Sequence, residues 1–162
     1  MPAESLFLQA LQGASFSFTR RPEPIAGDLR MSWGIGIVLL SLLNSHGKKC
    51  SFPKLQFLAH SIRSEASREQ VRCVLRGELH TSDIQVRVEP WLNRAVALAH
   101  GLKLVTVTRG KSVALTALGK EAAAAIDADR SVLAEERAFL VTVAKRLTEQ
   151  LLGRIWRMED LI

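Results

Sequence analysis

Apolar residues fill most positions between residues 29 and 45, a stretch that includes the longest apolar run of the chain. Trp33, Ile37 and Leu40 recur at helical spacing, and Val38 and Leu39 lie beside them on the same helical wheel. A helix with so wide an apolar perimeter is buried on most of its sides. The pattern therefore predicts a buried helix here, which ends at the polar sequence NSHGKK.

Two more helices are predicted before residue 80. In CSFPKLQFLAHSIRS, Ser51 can cap a helix and Pro53 suits its first turn. In SREQVRCVLRGEL, Ser67 stands three residues before Gln70, which is the spacing of a capping box. The side of this helix opposite its apolar stripe carries a basic ridge formed by Arg68, Arg72 and Arg76. Such a ridge is typical of a solvated helix face.

The pattern changes to strand-like alternation on either side of one further helix. DIQVRVEP alternates apolar and polar residues, which predicts a short strand. PWLNRAVALAHG opens with Pro90 and closes on Gly101, as a compact helix does. LKLVTVTRGKSVALT predicts a β-hairpin with its turn at Arg109-Gly110-Lys111. LTALGKEAAAAIDA starts another helix, for which Thr116 is the predicted cap.

The ends of the chain frame one domain. Residues 1–28 contain Pro22, Pro24 and Gly27, and they are predicted to form an N-terminal arm and linker. Residues 130–162 keep apolar residues at helical spacing without strict seven-residue repeats, which predicts one long amphipathic C-terminal helix docked on a surface. The predicted fold is mostly α with a small β-hairpin. A helix, a hairpin and a helix in succession indicate a winged helix-turn-helix domain over residues 29–129.

Composition narrows the function classes. Hydrophobic residues make up 48% of the 162 positions, which is ample for one domain with an appendage. The net charge of +6 permits contact with phosphate groups without showing it. The absence of tyrosine weighs against binding of single-stranded nucleic acid by base stacking. Two cysteines, apolar runs too short for a bilayer and no signal-peptide pattern indicate a cytoplasmic protein without a membrane partner.

The helix at residues 90–101 precedes the hairpin directly, which is the position of the reading helix in winged-helix proteins. A reading helix presents polar side chains to base edges, and the outward candidates here are only Asn93, Arg94 and His100. The remaining residues are mostly apolar, which favours a protein interior or a protein partner over a DNA groove. The candidates for nucleic-acid contact, against the simpler interpretation of solvated turns, are Lys48, Lys49, Arg109 and Lys111.

No pattern in the sequence indicates catalysis. The four histidines are scattered without the spacing of a metal-ligand motif, and no phosphate-binding loop or nucleophile motif is present. Paired acids such as Glu135 and Glu136 are predicted on an exposed helix face, where they serve solubility. We therefore expect a protein that is not an enzyme and has no cofactor or metal.

The sequence VRVEPWLNRAVALAHGLKLVTVTRGKSVALTALGKEAAAAI resembles the middle components of bacterial ABC three-component systems. The likeness lies in the EPWLNRAVALAHGL helix, the hairpin, LTALGKEA and the C-terminal helix, and FPKLQFLAHSIRS resembles the second helix of that family. Those proteins are small winged-helix subunits encoded beside an SMC- or Rad50-like ATPase and an effector, as in Lamassu-type anti-phage defence. The resemblance implies a non-catalytic accessory subunit bound to that ATPase and an effector nuclease, and it leaves room for non-specific DNA contact within the complex.

The partner-binding residues are predicted from the pattern alone. They lie on the apolar helix before the hairpin and on the C-terminal stripe from Leu147 onward: Trp91, Leu92, Val96, Leu147, Leu151, Ile155 and Trp156. One alternative is a winged-helix transcriptional regulator that dimerises through the C-terminal helix and binds DNA. A second alternative is a structural subunit that associates only with itself. A regulator should bind duplex DNA alone, with an affinity that falls steeply with salt.

Overall fold

A computed structural model describes residues 27–109 and 111–159, which form seven α-helices and a small antiparallel sheet. The helices are α1 (Gly27–Leu43), α2 (Phe52–Ile62), α3 (Glu65–Arg76), α4 (Pro90–Gly101), α5 (Ala117–Ala128), α6 (Ala134–Val143) and α7 (Glu149–Glu159). The strands are β1 (Lys49–Ser51), β2 (Val105–Thr108) and β3 (Ser112–Leu115). The predicted mostly helical fold with a hairpin is confirmed. The predicted arm up to residue 26, the turn residue Gly110 and residues 160–162 lie outside the described residues.

Helix α1 is buried on nearly all sides, as its apolar perimeter predicts. Its side chains divide between two hydrophobic clusters. Ile37 and Leu40 belong to the tail cluster, which also contains side chains from α2, α3, α6 and α7. Val38, Leu39 and Leu42 belong to the sheet cluster, which also contains side chains from α2, α4, α5 and all three strands. The two halves of the domain are therefore built on opposite sides of one helix.

The sheet contains one strand more than the predicted hairpin. Strand β3 lies in the centre, with β2 on one side and β1 on the other. Val113 of β3 is paired with Val107 of β2 and with Cys50 of β1. Strand β1 is only three residues long, so it is too short to show an alternating pattern in the sequence.

Two of the predicted helix caps are confirmed. The hydroxyl of Ser51 accepts a hydrogen bond from the backbone N–H of Lys54, and the hydroxyl of Thr116 accepts one from Gly119. The capping box predicted at Ser67 is wrong, because α3 begins one turn earlier. The cap of α3 is Ser64, whose side chain accepts a hydrogen bond from the backbone N–H of Ser67.

The strand predicted in DIQVRVEP is not part of the sheet. Burial does not follow the alternation of a strand along its whole length, because Ile84 is buried whereas Val88, four residues later, is exposed, and the segment is not paired with a neighbouring strand in the described part of the chain. It carries the chain to Glu89, a buried carboxylate at the N-terminus of α4. Glu89 accepts hydrogen bonds from Arg63 and Trp91. The segment is therefore an extended linker anchored at its end by an ion pair.

The C-terminal segment is not the single long helix that the sequence predicts. It forms α6 and α7, separated by a turn at residues 144–148. The hydroxyl of Thr148 accepts a hydrogen bond from the backbone N–H of Leu151 at 3.2 Å, which caps a new helix. Leu147 is buried in the turn itself. The helix breaks there because the bend places Leu147, Leu152 and Ile155 in the tail cluster.

Gly119 allows α5 to approach the chain segment before the hairpin. A Cβ atom at position 119 would lie 1.8 Å from the carbonyl oxygen of Leu104. That oxygen also accepts a hydrogen bond from the backbone N–H of Thr116, so it is held in place. We expect Gly119→Ala to lower the free energy of unfolding by on the order of 4 kcal/mol, because the backbone itself has to move.

The matched control is Gly101→Ala, at the end of α4, where an added Cβ atom meets nothing within 4 Å. This substitution should raise the free energy of unfolding slightly, by up to about 1 kcal/mol, because alanine favours the helix. Urea denaturation followed by circular dichroism measures both variants. Equal stabilities for the two variants would contradict the close approach of α5.

Candidate functional site

Most apolar residues of α4 face inward, towards α1. Leu92 and Val96 are buried in the sheet cluster, and the half-buried Trp91 packs edge-on against Trp33 with ring centroids 5.0 Å apart. The apolar part of α4 is therefore occupied within the domain. The exposed face of α4 instead carries Asn93, Arg94, Ala97 and Leu98.

The C-terminal stripe also packs on its own domain. Leu147 and Ile155 are core residues of the tail cluster and have almost no exposed surface for a partner in this conformation. Leu151 and Trp156 are half-buried and pack against the same cluster. The reason is the turn before α7, which directs the stripe back onto α2. Of the predicted partner residues on this stripe, only Leu151 and Trp156 keep exposed surface.

An apolar groove of about 440 Å³ brings Trp156 together with the beginning of α4. The residues that line this apolar groove are Phe52, Pro53, Gln56, Val88, Asn93 and Trp156. Val88 is 65% exposed, which is unusual for a large aliphatic side chain. The sequence pattern does not predict this groove, because it places Val88 in a strand.

The indole nitrogen of Trp156 is buried and has no hydrogen-bond partner within residues 27–109 and 111–156. A buried indole N–H normally finds an acceptor. Trp156 therefore lines the groove with part of its ring, while its buried N–H is not satisfied by the described residues.

The predicted nucleic-acid residues fall at different places. The ammonium of Lys48 donates a hydrogen bond to the carbonyl oxygen of Leu43 at 2.5 Å, so it closes the end of α1. Arg109 and Lys111 are exposed at the hairpin turn. Lys49 is exposed on β1, where it lines a second cleft. Lys111 lies beside the end of β1, because its carbonyl oxygen accepts a hydrogen bond from the backbone N–H of Phe52 at 2.9 Å.

The second cleft, here called the basic cleft, has a volume of about 560 Å³. It lies between β1, the N-terminus of α2 and the turn before α7. Its lining consists of three lysines, one histidine, three hydroxyl side chains, one thiol, one leucine and one carboxylate: Lys49, Lys54, Lys145, His46, Ser51, Ser112, Thr148, Cys50, Leu147 and Glu149. Positive charge predominates there.

Lys54 is the unusual residue of the basic cleft, because it is only 6% exposed. Its ammonium makes no hydrogen bond or ion pair with a side chain or carbonyl of the described residues. Burial removes water from this group and thereby lowers the pKa of Lys54. Burial also raises the pKa of the neighbouring Cys50 thiol to about 12, so that thiol is neutral. Lys54 is thus a largely buried lysine that lines the basic cleft without an ion-pair partner among the described residues.

One local feature of the sequence marks Lys54 as unusual. A lysine in the first turn of a helix faces the positive end of the helix dipole, where acidic residues are preferred. Lys54 follows Ser51 and Pro53 at such a position. The burial of Lys54, however, depends on the turn before α7. The sequence pattern predicts a continuous helix at that turn.

The basic ridge on α3 is neutralised by carboxylates. Arg68 is buried and forms ion pairs with Glu65 and Glu135, each at 2.8 Å. Arg72 and Arg76 pair with acidic residues on and just after the same helix, and Arg72 also lies over the ring of Phe139. The three arginines of the ridge are therefore engaged in contacts within the protein.

Within the described part of the chain, no group of three metal-ligating side chains is found. None of the helices described there combines the length and the hydropathy that a membrane crossing requires. Comparison of the chain with known protein families, with curated protein sequences and with solved structures finds no match.

We expect Lys54→Met to stabilise the protein. Methionine keeps an unbranched apolar side chain but removes the buried charge, so the free energy of unfolding should rise by roughly 1–2 kcal/mol. The folded-state pKa of Lys54 lies below its ordinary value of 10.5, so the charge destabilises the fold fully at pH values below that lowered pKa. The advantage of the variant should therefore shrink as the pH rises towards 10.5.

Urea denaturation at neutral pH and at several alkaline pH values measures this effect. Lys49→Met is the control, because Lys49 lines the same cleft and is exposed. Its stability should stay within about 0.5 kcal/mol of the wild type. A Lys54→Met variant less stable than wild type at neutral pH would contradict an uncompensated buried charge.

Proposed function

We propose that this protein is a winged-helix accessory subunit without catalytic activity. It docks on an SMC- or Rad50-like ABC ATPase and its effector nuclease in a prokaryotic anti-phage or anti-plasmid defence complex. The order of elements supports the winged-helix part of the proposal. Helix α1, strand β1, helices α2 and α4 and the β2–β3 hairpin follow one another as in a winged helix, with α3 inserted between the second and third helices. The sheet order β1-β3-β2 is also the one expected for that fold.

One observation carries the proposed docking function: the beginning of α4 opens onto the apolar groove. In a DNA-reading winged helix, this end of the helix presents hydrogen-bonding groups to base edges. Here Asn93 shares the surface with Val88, Pro53 and Trp156. A contiguous exposed apolar surface flanked by polar groups is typical of a protein–protein contact.

The identity of the partner rests on the sequence resemblance to middle components of ABC three-component systems. An accessory subunit of that kind has no catalytic activity, so its function is to bind a larger protein. The apolar groove supplies such a contact with an aromatic residue, Trp156, at its edge. Tryptophan is enriched among the residues that dominate binding energy at protein interfaces.

A second candidate function is a winged-helix DNA-binding regulator that acts as a dimer. The exposed face of α4 favours the regulator, because Asn93 and Arg94 are exposed there. The exposed Arg109 and Lys111 at the hairpin turn suit contacts with a phosphate backbone. A regulator requires these groups to act together on duplex DNA without any other protein.

The docking function is tested by affinity capture of the tagged protein from its native host after nuclease treatment. We expect the wild type to recover a large SMC-like ATPase in stoichiometric amount, identified by mass spectrometry. Val88→Asp should reduce that recovery by roughly tenfold or more, because it places a charge on the lining of the apolar groove. Val88 is chosen because its exposure makes the substitution harmless to folding.

The matched control is Val141→Asp. Val141 is 55% exposed on α6 and does not line the groove, so this variant should recover the ATPase like the wild type. Recovery of the wild-type bait alone would contradict the accessory-subunit function. Tight, sequence-selective binding of the purified protein to duplex DNA, weakening steeply with salt, would instead establish the regulator.

A further inference from the structure

The basic cleft has the electrostatic character of an anion site. Three lysines and a histidine line it against a single carboxylate. Two helices begin at its wall, α2 after Ser51 and α7 after Thr148. Helix N-termini carry partial positive charge and free N–H groups, which favour a bound anion. The charged side chains and the two helix N-termini therefore both favour a bound anion in the cleft.

Lys54 is the independent observation that indicates a ligand. A lysine that is almost fully buried normally has a carboxylate or a set of carbonyl groups as partners. Lys54 lines the cleft at 6% exposure, and none of the described residues provides a hydrogen bond or ion pair to its ammonium. An anion inside the cleft would supply the missing partner.

The carboxylate of Glu149 does not supply it. The hydroxyl of Ser51 donates a hydrogen bond to the Glu149 carboxylate at 2.9 Å and thereby holds it at the exposed side of the cleft. Glu149 and Lys54 do not approach within the 4.0 Å of an ion pair. Glu149 thus weakens the positive potential of the cleft without neutralising its buried cation.

We propose that the basic cleft binds a phosphate group, with Lys54 as its buried ligand. Lys49 and Lys145 supply further positive charge, and the hydroxyls of Ser112 and Thr148 supply hydrogen-bond donors. A volume of about 560 Å³ admits a phosphate that is free or attached to a nucleoside. The phosphate of a small molecule and the 5′-terminal phosphate of DNA offer this chemistry equally. The site is separate from the apolar groove and does not rest on the proposed docking function.

Isothermal titration calorimetry at constant ionic strength tests the site with three probes. They are inorganic phosphate, a duplex oligonucleotide with a 5′-phosphate and the same duplex with a 5′-hydroxyl. We expect the wild type to bind inorganic phosphate or the phosphorylated duplex, and Lys54→Met to weaken that binding by roughly tenfold or more. Binding of inorganic phosphate indicates a small-molecule source, whereas binding of the phosphorylated duplex alone indicates a DNA end.

Two further variants sharpen the test. Glu149→Gln should strengthen phosphate binding, because it removes the only carboxylate that lines the cleft among the described residues. Lys120→Met removes an exposed lysine that does not line the cleft and should leave the affinity unchanged. Thermal unfolding of each variant confirms that it is folded. A wild type that binds neither phosphate-bearing probe, or binding that Lys54→Met leaves unchanged, would overturn the proposal.

Discussion

The burial of α1 on nearly all of its sides is the constraint on which the rest of the structure depends. One helix serves two hydrophobic clusters, so each half of the domain is completed by the other. The sheet and α4 cover one side of α1, while α6 and α7 cover the other. Apolar side chains of α1 would be exposed to water if either half were removed, at a cost of roughly 25 cal/mol per Å².

Both candidate sites lie where these two halves meet. The basic cleft is lined by Cys50 from the sheet cluster and Leu147 from the tail cluster. The apolar groove places Phe52, which packs on the sheet cluster, near Trp156, which packs on the tail cluster. The C-terminal helix is therefore part of the domain and builds one wall of each site.

Features encoded by neighbouring residues could be predicted from the sequence. The caps at Ser51 and Thr116, the hairpin and the buried first helix each follow from a local spacing of residue types. The error at Ser67 is also local, because Ser64 offers the same hydroxyl one turn earlier. The exposed positions of Asn93 and Arg94 followed from the helical period. The burial of Leu92 and Val96 of α4 in the domain depends on contact with α1, a helix far away in the chain.

Features that depend on distant residues could not be predicted. The helix at the C-terminus breaks because Leu147 fits into a cluster that includes side chains from α1, α2 and α6. The segment at residues 84–88 has a strand pattern but is not paired with any strand of the described residues. The basic cleft was missed for the same reason, since Lys54 becomes unusual only when the turn before α7 closes over it. The apolar groove requires Val88 and Trp156 to meet across the fold.

The sheet order has a consequence for the order in which the strands pair during folding. Strands β2 and β3 are joined by a short turn, so their pairing requires only a small loop to close. Strand β1 pairs with β3 across a much longer stretch of chain that includes α2, α3 and α4. Such long-range pairing is slow, because the loop entropy is lost before the contact is gained. We therefore expect one edge of β3 to stay unpaired during folding until the helices between the two strands have packed.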